Sequence, residues 1–173
     1  LARQGHIRFG HLEHFVLANE PTLRLVFFLT VLAVIGLWEV VAPRRALTTS
    51  KAMRWTSNLG LVALNTLLLR LVFPLAAAGM AAFAAANGWG LLNHFQVPLW
   101  LAVPIAVIAM DIVIWLQHVM VHAVPVLWRL HRVHHADLDY DVTTGSRFHP
   151  IEIGLSMLIK FATITVLGPP VVA

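Results

Sequence analysis

A chain of 173 residues that is 59% hydrophobic and 12% charged is too apolar for an ordinary water-soluble domain, and a membrane is its natural solvent. The formal net charge is +4, but the basic residues are thinly spread beside apolar stretches and form no basic face interleaved with exposed aromatics, which speaks against nucleic acid as a partner. No cysteine is present, so disulfides, thiolate metal sites and iron–sulfur clusters are excluded, and any metal must be held by nitrogen or oxygen, with ten histidines on hand.

A bilayer core takes roughly 20 mostly apolar residues per helical span, and four regions supply them. The first runs from about Leu23 to Val41. Asn19-Glu20-Pro21 reads as its start, with Pro21 in the first turn, and Pro43 as its end. The preceding amphipathic stretch with Arg3, His6, Arg8, His11 and His14 is unlike a signal peptide. The second region, Leu59 to Ala86, contains Pro74 and Gly79, closes at Asn87-Gly88, and is long enough to tilt, kink or form two segments. Arg70 inside it is costly and is expected to snorkel or pair. The third, Val97 to Leu116, carries Pro104 and Asp111, and the fourth starts near Ile151 and breaks at Gly168-Pro169-Pro170.

Arg44, Arg45, Lys51 and Arg54 lie between the first two spans, so the positive-inside rule puts that connection in the cytoplasm. Two crossings later His118 emerges on the same side, in agreement with Arg129 and Arg132. The six tryptophans fall mostly near span ends, as an aromatic belt would place them. With no internal repeat or linker, residues 1–173 read as a single all-α membrane domain, a multi-pass bundle of about four spans.

The informative stretch is 111–152. On a helix His118 and His122 share a face, and Asp111, seven residues before His118, falls on the same stripe, where a carboxylate could accept the second ring N–H of a ligating histidine. Pro125 marks a new helix on which His131 faces both His134 and His135. Imidazole suits iron, zinc, copper or nickel, and burying five such rings together without metal or hydrogen-bond partners would be costly. A lone His-x-x-x-His pair is usually packing; the second cluster tips the reading to metal.

Other motifs fit badly. Val119 stands where a zinc protease motif needs Glu. Asp137, Asp139 and Asp141 alternate like the start of a calcium loop, but Val142 and Phe148 occupy the positions that need Gly and Glu, so a solvated acidic turn is the expectation. In Arg147-Phe148-His149-Pro150-Ile151-Glu152, His149 could cap the last helix or complete a metal shell, and Arg147 and Glu152 are expected to support rather than ligate. His94 and the early histidines read as interfacial.

These residues resemble the sterol desaturase and fatty acid hydroxylase superfamily of membrane di-metal oxygenases: Asp111 through His122 as a first histidine box, His131-Arg-Val-His134-His135 as a second, and Arg147 through Glu152 after it. Arg54-Trp55 and Asn58-Leu59 resemble its bacterial branch. The resemblance implies a helical membrane bundle under a histidine-rich helical cap on the cytoplasmic side, with metal ligands at His118, His122, His131, His134 and His135 and two non-haem iron ions. It also implies dioxygen as co-substrate, an external electron donor of ferredoxin or cytochrome b5 type, and hydroxylation or desaturation of a lipid by a protein integral to a membrane, a bacterial inner membrane by that branch. Nothing like the family's third histidine box follows Ile151, so the chain reads as a fragment, expected to be inactive alone. Two further readings stand beside this one: a zinc-dependent membrane hydrolase using a few histidines and Asp111, and a haem-binding electron-carrier subunit.

Overall fold

A computed structural model describes the backbone of residues 2–173 and the side chains of residue 11 and residues 14–173. The side chains of Arg3, His6 and Arg8 thus lie outside the described residues. Helices follow one another as α1 (Ala2–Val41), α2 (Lys51–Val72), α3 (Ala77–Ala86), α4 (Leu91–His94), α5 (Leu99–Ala123), α6 (Pro125–His135) and α7 (Pro150–Leu167), with a 3-10 turn at Thr144–Ser146. No strand occurs among the described residues: the protein is all-α.

Four helical segments are long and apolar enough to cross a membrane: His14–Val41, Lys51–His94, Leu99–Ala123 and Pro150–Leu167. Only 6% to 11% of their most apolar windows is buried inside the protein, so their apolar side chains face outward, as lipid requires and water would not tolerate.

The boundaries follow local chemistry. Phe73 is pushed to extended backbone (φ −118°, ψ 93°) because Pro74 follows it, and α2 ends there. The long second apolar region is therefore broken into α2 and α3. Pro125 opens α6, where its missing N–H costs nothing. The first span departs from expectation: α1 does not begin at Asn19 but runs through Pro21. The side chain of Asn19 bonds back to the Phe15 carbonyl at 2.9 Å instead of capping a new helix, and Glu20 pairs with Arg24 one turn on, at 2.8 Å. A helix already under way loses one hydrogen bond to an interior proline, and here it continues.

The chain divides into two compact units. One comprises Leu1–Arg24, Leu75–Leu116 and Met157–Ala173. Its interior is apolar, with Leu92, Ala102 and Ala106 packed with Val97 and Leu167. The turn after α7 meets the α3–α4 turn glycine on glycine: Gly90 (φ +93°) and Gly168 (φ +64°) both have backbones that L side chains rarely adopt. A Cβ at Gly90 would overlap the Gly168 nitrogen, and one at Gly168 would lie 2.5 Å from the Trp89 carbonyl oxygen.

The other unit comprises Leu25–Pro74 and Gln117–Ser156, and its interior is polar. His131, Asn58 and Thr144 are 0% exposed and Asp139 and Thr143 1%, so this unit is organised by hydrogen bonds rather than apolar contact. The expected solvated acidic turn is not found. Asp137 accepts a fork from Arg54, 2.7 Å to Nε and 3.0 Å to Nη2, and further bonds from Asn58 and Thr144. Asp139 accepts the N–H groups of Thr48 and Thr49 and the Thr48 hydroxyl. Asp141 takes Arg54 Nη2 at 3.0 Å, the Trp55 indole N–H and Thr143. Fixed donors for three carboxylates make an interior that closes on itself rather than a calcium loop or a wet turn. The Arg54 guanidinium holds Asp137 well below the usual carboxylate range, and backbone N–H donation from Thr48 lowers Asp139. For Asp141 burial works upward, but the bonds from Thr143, Trp55 and the nearby Arg54 win and the net shift is downward.

Candidate metal centre

Within the polar unit, the end of α5 carries His118 and His122 one turn apart, and α6 carries His131, His134 and His135 within its last turn and a half. The rings meet. Centroids lie 4.8 Å apart for His118 and His122, 4.9 Å for His118 and His131, and 4.7 Å for His122 and His131. His135 joins at 4.9 Å from His122 and 5.0 Å from His131, and His134 at 5.4 Å from His131. One ring nitrogen each from His118, His122 and His131 fall within 4.8 Å of one another.

Two features prepare these rings for a cation. His131 is wholly buried, and its Nδ1 bonds Glu152 Oε1 at 2.6 Å. A carboxylate there takes the N–H, so the lone pair is on Nε2, and that nitrogen is buried without a hydrogen-bond partner. An orphaned imidazole nitrogen on a ring that clusters with two other imidazoles fits a metal ion and is otherwise a desolvated acceptor left unmatched. The three rings on α6 are also pushed toward the neutral form. Burial, then the adjacent His118 and His122, push His131 down to about 4. Burial followed by neighbouring imidazoles also lowers His134 and His135. Metal ligation needs the unprotonated ring, so the downward shifts on α6 favour the binding form of its three histidines.

The surroundings fix α6. Arg147 donates Nε to the Val133 carbonyl at 2.8 Å and Nη1 to Asn58 Oδ1 at 2.9 Å. Asn58 in turn donates to Asp137 and Thr143. The last turn of α6 is thereby tied to the buried carboxylates. Phe148 stacks flat on His134, 4.7 Å between centroids and 2° between planes, and Trp128 covers His122 and His135 at 5.2 and 5.5 Å.

The sequence-derived residues divide accordingly. The five histidines His118, His122, His131, His134 and His135 come together. Glu152 and Arg147 support them, Glu152 on a ring and Arg147 on the helix backbone. His149 accepts the Ile151 N–H on Nδ1 at 3.1 Å, which caps the start of α7. Asp111, expected as the carboxylate behind a ligating histidine, is exposed and has no hydrogen bond among the described residues; Glu152 holds that position on His131. His11, His14 and His94 are exposed, and the ring contact of His94 is with Phe95. Arg70 is exposed with no ion pair among the described residues. Trp38, Trp89, Trp100 and Trp115 are exposed as a belt would have them, whereas Trp55 and Trp128 serve the polar interior and the histidines.

Sequence reasoning did not assign Arg54, Asn58 and the three aspartates to one network. The available signal was the abundance of unpaired polar residues on α2, which a lipid-facing helix would not keep.

No curated protein and no solved structure gives a significant match to the chain. A family model described as fatty acid hydroxylase matches residues 103–173. That segment holds all five clustered histidines together with Arg147 and Glu152, so the part of the chain that builds the imidazole cluster is the part that is similar to the fatty acid hydroxylase family, consistent with the sterol desaturase and fatty acid hydroxylase superfamily.

Proposed function

We propose that the protein is a membrane-bound non-haem di-iron oxidoreductase that hydroxylates or desaturates a lipid, with His118, His122, His131, His134 and His135 among its iron ligands. The observation that carries this reading is the convergence of one ring nitrogen each from His118, His122 and His131 within 4.8 Å, with the Nε2 of His131 buried and unpartnered, within the segment that the hydroxylase model matches. Bound iron would supply, with dioxygen and electrons from an external carrier of ferredoxin or cytochrome b5 type, the oxidising power to attack an unactivated C–H bond.

The chain's own residues prepare that chemistry. Glu152 holds the proton of His131 on Nδ1 and keeps Nε2 free, and its charge makes the ring a stronger donor. Arg147 and Asn58 hold the α6 turn that carries His134 and His135, so the ligands are set before metal arrives. Phe148 packs flat on His134 and Trp128 lies against His122 and His135, contacts that hold these rings in place. The basic residues Arg44, Arg45 and Lys51 favour a cytoplasmic position for the connection before α2, where soluble carriers have access.

The test is metal analysis of the purified chain loaded anaerobically with ferrous iron, followed by Mössbauer spectroscopy. We expect nitrogen-ligated iron held by the histidine cluster, with His131→Ala losing it. A chain that takes a single zinc and refuses iron would overturn the oxidative reading in favour of metal-assisted hydrolysis.

A further inference from the structure

The polar unit contains an open cleft of about 300 Å³, of the size that small-molecule sites occupy. Its walls are largely apolar, from Phe28, Val62, Leu69, Phe148 and Ile153, and no charged side chain lines it. Phe148 is shared with the histidine cluster, since its ring lies flat on His134. A molecule seated in the cleft is separated from an imidazole of the proposed metal centre by one aromatic ring.

Asn65 gives the cleft a chemical preference. It lines the cleft yet is only 6% exposed. Its Nδ2 donates to the Phe148 carbonyl at 3.0 Å, and that bond fixes which way the amide faces, because the carbonyl can only accept. Oδ1 is left buried with no donor. A buried acceptor without a partner is costly, and a ligand that brings a proton donor removes the cost. An ester brings only acceptors, and a free carboxylate finds no counter-charge among the lining residues. The apolar walls on membrane-capable helices call for a long hydrocarbon body.

We infer that this cleft seats a long-chain lipid by its neutral, donor-bearing end, and that Asn65 selects an O–H or N–H group over an ester or a carboxylate. The inference rests on the lipid-oxidising reading above for its biological sense, but its binding test is separate.

The full chain in nanodiscs is titrated with a spin-labelled long-chain alcohol, and the immobilised fraction is competed with hexadecanol, methyl hexadecanoate and hexadecanoate. Hexadecanol is expected to compete at about tenfold lower concentration than the other two, the effect of one hydrogen bond to an otherwise unmatched acceptor. Asn65→Leu erases that preference. Thr66→Trp, at an exposed lining position of α2, fills the cleft and weakens all three while leaving the fold intact, as checked by circular dichroism. Equal competition by alcohol and ester in the unaltered chain, or full binding by Thr66→Trp, overturns the inference. Iron content is measured on the same samples. Preference without iron leaves the cleft standing and removes the oxidative reading; iron without preference does the reverse.

Discussion

Glu152→Ala is the sharpest test of how the site is built. The carboxylate accepts the Nδ1–H of His131 at 2.6 Å, and His131 is 0% exposed, so no bulk water can replace it. Removing the acceptor strands a buried donor at a cost of about 1–3 kcal/mol, and the ring then has reason to turn or to move its proton to Nε2, the nitrogen a metal needs. Loss of such an outer partner typically lowers metal affinity about 10- to 100-fold, or roughly 1.4 to 2.7 kcal/mol. Glu152→Gln keeps one carbonyl acceptor and should recover part of the loss. Competition of the iron-loaded chain against a graded series of chelators reads the affinity, with thermal unfolding measured alongside. Glu152→Ala binding iron as tightly as the parent would refute the role given to this carboxylate.

Further consequences follow from the same contacts. Arg54→Ala leaves Asp137 and Asp141 buried without their shared cation and should destabilise the polar unit by about 3–5 kcal/mol. Adding Asp137→Asn should recover some of that in a double-mutant cycle, and strict additivity would mean that the pair is not coupled. Gly90→Ala or Gly168→Ala forces a side chain into backbone and should lower the melting temperature by more than any surface change; an unchanged melting point would show that the two turns do not meet. Acid should unfold the metal-free chain in two stages. His131 has a folded pKa of about 4 against an ordinary 6.5, so the unfolded state binds the extra proton and stability declines from about pH 6.5 to 4. The lowered aspartates contribute stability above their ordinary value, 3.8, and lose it as pH falls below that. Trp55, bonded to Asp141, should report the second stage by fluorescence, and a single transition near neutrality would contradict this order.

Much of the architecture is legible from residue order because lipid imposes a coarse rule: long apolar runs become helices, and Pro43, Pro74, Pro125 and Gly168 punctuate them. The five histidines are legible for the same reason, since helical spacing alone puts His118 beside His122 and His131 beside His134 and His135. What is not legible depends on contacts distant in sequence. Asp137, Asp139 and Asp141 look like a wet turn until Arg54, some 83 residues earlier, Thr48 and Trp55 are brought to them. Asp111 has the right spacing to stand behind a histidine, but Glu152 arrives from another helix. Pro21 misleads in the opposite direction, because a local start signal is overridden where the helix on both sides is already formed.

The polar interior that surrounds Asn58 has a further implication for how this protein can change over time. Each of its carboxylates is matched by donors from several distant positions, so a replacement at any one of them is harmful until its counterparts alter too. Drift in this region should therefore proceed by joint exchanges, while the greasy outer faces of the same helices are free to vary one residue at a time.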